Sequence, residues 1–110
     1  MDELAPAVDD LDPGPGEVET AELVVTDDVL VKLFALGPDA RIDPHEHGDS
    51  TNVFHLLDGD LLVTSGEETA RLSAPAVVEH PRGVAHGAEN PTDERALVTA
   101  SLCPLPGGGE

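Results

Sequence analysis

A chain of 110 residues supplies one domain, long enough to bury a core without disulfide staples. Twenty-three acids face five bases, a formal charge of −18 with Lys32 as the single lysine, and such a surface repels nucleic acid and anionic membranes. The one cysteine, Cys103, excludes an internal disulfide and reads as a small structural hydrophobe near the end of the last apolar run. No apolar run is long enough to cross a bilayer, and the N-terminus lacks the basic start and apolar core of a signal peptide, so the cytoplasm is the expected location. The acidity itself reads as a solvated shell around an ordinary core, as in proteins of salt-accumulating cells, rather than as disorder, because the middle of the chain is rich in apolar runs.

Residues 1–17 form an acidic arm with Pro6, Pro13, Gly14, Pro15 and Gly16, a composition that favours loop or disorder. Strands are predicted at 21–26, at 29–36 after Asp27-Asp28, and, after Gly37-Pro38, in a short extended piece at 40–43. A strand at 51–57 ends at Asp58-Gly59, a hairpin signal, and leads into 60–65. Gly66-Glu67 turns the chain into 68–73. Strands follow at 76–80, at 84–89 after the Pro81–Gly83 turn, and at 94–102 after Asn90-Pro91. The folded body is thus expected at 18–103, with a flexible tail at 104–110. No stretch of ten or more residues carries a helical period. Short strands at near-regular spacing predict an all-β sandwich or barrel. In 29–36 both faces are largely apolar: Val29, Val31, Leu33 and Ala35 on one, Leu30, Lys32, Phe34 and Leu36 on the other. A strand covered on both sides needs a second layer, for which a homodimer is the economical source and the N-terminal arm the alternative.

The chemistry-bearing residues are histidines. His45-Glu46-His47 lies beside the extended piece 40–43, and an H-x-H pair on a strand points both rings to one face. His86 comes about forty residues later. Two imidazoles on one face and a third from a distant strand can chelate a transition metal. His55 alternates away from Asn52 and Phe54 and is expected outside; His80, just before Pro81, is expected to be structural or exposed; Glu46 is expected in solvent. Arg41 and Asp49 are candidates for the mouth of a pocket, and Asn90 for shaping its turn.

Gly37, then His45-x-His47, then Gly59, resembles the first cupin motif, and Pro81-x-Gly83-x-x-His86-x-x-x-Asn90 resembles the second. The likeness covers roughly residues 29–102. It implies a double-stranded β-helix jelly-roll barrel in which His45, His47 and His86 converge on one divalent metal, with Fe, Zn, Mn, Ni and Cu all compatible. Three departures stand out. Asn52 occupies the position where the family usually has a glutamate ligand, the interval from Gly37 to His45 is two residues longer than the usual pattern, and Pro75 replaces a common glycine. Asn52 is therefore a further candidate at the metal, as a weak ligand, a holder of metal-bound water or a donor to substrate. The reading with most support is a metal-dependent enzyme, of dioxygenase or isomerase/lyase type, acting on a small polar or carbonyl compound. The alternative is a non-catalytic metal- or small-ligand-binding or sensing module. A jelly roll whose histidines merely line a polar pocket is the third.

Overall fold

The computed structural model describes residues 1–46 and 48–105. The chain forms a short helix, α1 (Ala5–Asp10), and nine strands: β1 (Val18–Val25), β2 (Leu30–Leu36), β3 (Arg41–His45), β4 (Thr51–Asp58), β5 (Asp60–Ser65), β6 (Glu68–Ser73), β7 (Ala76–His80), β8 (His86–Glu89) and β9 (Ala96–Cys103). All pairings are antiparallel and build two sheets, ordered β1-β2-β9-β4-β7 and β3-β8-β5-β6. The all-β architecture expected from strand spacing forms, and it is the jelly roll that the family resemblance implied. Among the described residues no helix is long and apolar enough to cross a membrane.

Period-two alternation sets the core. Residues opposite one another on adjacent strands share a face, so the register lays rows of side chains across each sheet. Leu36, Phe54, Leu56, Val98 and Ala100 of the larger sheet pack against Leu61, Val63 and Ala88 of the smaller one. Asn90, wholly buried, ties the turn after β8 to that core. Its amide nitrogen donates to the carbonyls of Leu36, Gly37 and Glu94 at 2.7–3.1 Å, and its oxygen accepts from the Thr92 amide and hydroxyl. This is the turn-shaping role its sequence position suggested.

Three expectations are corrected. Asp58-Gly59 is not a hairpin: β4 pairs with β7 and β9 while β5 pairs with β6 and β8, so the turn carries the chain from one sheet to the other. Gly59 (φ 84°) permits the corner, and a Cβ there would press on Ala96. A local turn signal reports a reversal; which strand each flank pairs with is decided by the remaining strands. Second, residues 5–10 of the arm are helical, and Leu4, Ala7, Val8 and Leu11 pack on Leu33, Ala35 and Leu97 of the outer face of the larger sheet. The chain's own arm supplies the cover for that face of β2, so the face itself does not call for a second subunit. Third, Cys103 is exposed at the last position of β9, where burial ends.

Candidate metal centre

The candidate site lies where one row of each sheet meets the other. On the smaller sheet, His45, His86 and Ser65 stand side by side on β3, β8 and β5. On the larger sheet, the facing row is Leu30, Leu102, Asn52 and His80, on β2, β9, β4 and β7. His47 lies outside the described residues.

The hydrogen bonds fix the ring tautomers. His45 Nδ1 is 3.0 Å from the carbonyl of Asp43, and His86 Nδ1 is 3.1 Å from the carbonyl of Val84. A carbonyl only accepts, so each Nδ1 carries a proton, and in the neutral tautomer of each ring the lone pair then lies at Nε2. Tying Nδ1–H to a backbone carbonyl is how metal-binding imidazoles are commonly oriented. The two rings lie 4.7 Å apart between centroids. Asn52, 2% exposed, donates from Nδ2 to His86 Nε2 at 2.8 Å. Its Oδ1 is buried with no hydrogen-bond partner.

Of the two expectations for His80, structural or exposed, burial excludes the second. It is fully buried, and its ring stacks on His86 with centroids 4.6 Å apart and planes 18° apart, while Phe54 meets it edge-on at 4.3 Å. Ser65 Oγ lies 2.9 Å from its Nδ1, bridging the two sheets, and its Nε2 is buried without a partner. Burial, reinforced by the neighbouring His86 and His45, lowers its pKa from the usual 6.5 to about 4. The alternation of β7, with Ala76, Val78 and His80 on one face, carried the signal for its inward position. Ser65 was missed as well, and only the register of β5 against β8 places it beside His86.

His55, Glu46 and Asp49 are exposed. Arg41 is exposed and paired with Asp43 at 2.7 Å, on the outer face of the smaller sheet rather than at the site. Among the described residues no three His, Cys, Asp or Glu side chains are gathered closely enough to hold a metal ion. The site opens into a cavity of about 20 Å³, lined by His45, Asn52, Lys32, Phe34, Phe54 and apolar residues of β3 and β9. That is room for one or two waters.

Comparison with known proteins adds the family. The profile described as "Cupin domain" matches residues 32–102. Among solved structures, TT1209 from Thermus thermophilus is 28% identical with a TM-score of 0.81, over 90% of this chain and 95% of that one. KdgF from Halomonas sp. is 23% identical (TM-score 0.76, 86% of each chain). A predicted oxalate decarboxylase from Thermotoga maritima is 22% identical (TM-score 0.77, 82% and 83%). At those identities the last two show a shared fold. No curated protein matches the chain.

Proposed function

This chain belongs to the cupin domain family, and on that premise we propose that it is a metal-binding cupin whose metal is held by His45, His47 and His86, with Asn52 beside it. The observation that carries the reading is the pair of imidazoles whose Nδ1 atoms are tied to backbone carbonyls, an arrangement that supports Nε2 as the atom each ring would offer a metal. The donor chemistry fits. Neutral imidazoles suit Fe, Zn, Mn, Ni or Cu, and the buried, unpartnered Asn52 Oδ1 supplies an oxygen once its amide turns over from His86. His80, stacked on His86, fixes that ring from behind.

A metal so held supplies Lewis acidity toward a carbonyl oxygen and open positions for small ligands. The chain itself does the rest. Phe34, Phe54, Val98, Ala100 and Leu102 give the cavity apolar walls, which strengthens polar interactions beside them. Asn52 can donate to a ligand oxygen through Nδ2 or accept through Oδ1. These features support an enzyme of dioxygenase or isomerase/lyase type acting on a small carbonyl compound. A second reading, a non-catalytic binding module, is favoured by one observation: among the described residues no carboxylate lines the cavity to serve as acid or base. The acidic shell fits a cytoplasm rich in salt under either reading.

The test is elemental analysis of protein purified in high salt without chelators or a His-tag. About one transition metal per chain is expected, and His45→Ala or His86→Ala should remove it. A metal-free wild type that cannot be reloaded would overturn the proposal. Oxygen uptake or turnover in a screen of small carbonyl compounds then separates enzyme from binding module.

A further inference from the structure

The five bases are placed unequally. Arg41 and Arg71 sit in ion pairs with Asp43 and Asp60, Arg95 is bound to backbone carbonyls, and Arg82 is exposed on the β7–β8 turn. Lys32 alone lines the cavity. It occupies the inward face of β2 between Leu30 and Phe34, opposite Ala100 of β9. Among the described residues it forms no ion pair, although the chain carries 23 acids. Glu22, its cross-strand neighbour on β1, is exposed and not in salt-bridge contact. The ammonium instead stands 5.4 Å from the centre of the Phe34 ring. A lysine directed into an apolar cavity is seldom kept without a counter-charge, and here no carboxylate among the described residues lines the cavity beside it. Two further polar groups of the same region, Asn52 Oδ1 and His80 Nε2, are buried and also unpartnered.

We propose that Lys32 is the anchor for an anionic ligand, a small carboxylate whose charged end enters the cavity between Lys32 and the His45–Asn52 side. The inference deepens the metal-binding reading by naming the ligand class of the same site, and it rests on that reading for what the ligand then meets. A cavity with room for one or two waters takes the two oxygens of a carboxylate. In a protein of charge −18 an anion is repelled from the surface generally, so a lone cation at the cavity selects where it can bind. The ammonium contributes attraction and the Phe34 and Phe54 walls strengthen it by excluding water.

The experiment uses malonate as probe and malonamide as its neutral isostere, on full-length protein, both metal-free and metal-loaded, at fixed ionic strength. Because Lys32 is the only lysine, lysine-selective isotope labelling gives one side-chain NMR signal. Malonate is expected to shift that signal saturably in both metal states, and malonamide is not. Lys32→Met, which keeps the apolar stem, should weaken malonate binding at least fivefold with metal content unchanged, and Lys32→Arg should restore it. The proposal is overturned if malonate leaves the Lys32 signal unmoved, if malonamide binds as tightly, or if Lys32→Met weakens binding less than fivefold. The metal reading fails separately, by loss of metal from the wild type, and the metal-free comparison still decides the role of Lys32.

Discussion

Asn52 and His80 decide the character of the site at the scale of single residues. Where a carboxylate is usual in the family, Asn52 places a neutral amide that satisfies His86 Nε2 when no metal is bound. Asn52→Glu should therefore tighten metal binding, by about tenfold in chelator competition, if the side chain reaches the metal. It should also destabilise the metal-free protein by about 2 kcal/mol or more, because a buried carboxylate then lacks a partner; unchanged affinity would place Asn52 out of reach. His80 makes a pH-dependent contribution. Its pKa is lowered to about 4 in the fold, so below the usual 6.5 the unfolded chain binds a proton that the folded chain refuses. The contribution is complete above about 6.5 and is lost as the pH falls to 4, roughly 3 kcal/mol at ~1.4 kcal/mol per pH unit. Urea titrations of the metal-free wild type and His80→Phe should show the wild type losing ground to the variant across that window, and parallel curves would contradict the assignment. The period of β7 made the inward position of His80 legible; its stacking on His86 was not, since it depends on two strands of different sheets.

The N-terminal arm shows at the scale of elements how a weak helix is held by tertiary contacts. Six residues are too few to be helical alone; Asp2 Oδ1 accepts from the Leu4 and Ala5 amides at the start of α1, but its last turn has no basic residue. Arg95, just before β9, supplies the missing cation from 84 residues away, donating to the carbonyls of Leu11 at 2.5 Å and Val8 at 3.2 Å. The apolar face of α1 then rests on Leu33, Ala35 and Leu97. Gly37 lets the arm approach, for a Cβ there would run into the carbonyl of Gly14. Arg95→Ala should cost about 1–2 kcal/mol in urea unfolding and make the arm a preferred site of limited proteolysis. Retained protease resistance would mean the apolar contacts alone hold it. The two-sided apolar pattern of β2 showed that a cover exists; its source could not be read from the strand.

Charge governs the whole molecule. At −18 the shell repels itself, and among the described residues Arg41–Asp43 and Arg71–Asp60 are the ion pairs between basic and acidic side chains that offset it. Screening shortens from about 10 Å at 0.1 M salt to about 3 Å at 1 M, so the fold should gain stability with sodium chloride. A rise in melting temperature of about 10 °C between 0.1 and 2 M is expected, the scale of one to two kcal/mol in a domain of this size. A flat response would show that the acids are spaced too widely to repel one another.

The sequence by itself determined the strands, because alternation and turn residues act over a few positions. It also made the family motifs, His45 and His86, and the acidic shell legible. Only the tertiary structure decided which strands pair across Asp58-Gly59, what covers β2, that His80 and Ser65 pack behind His86, and that Lys32 shares a cavity with His45 and Asn52. Those relations belong to the register between strands far apart in the chain. A period of two gives each residue its face, but not the residue that meets it from the opposite sheet.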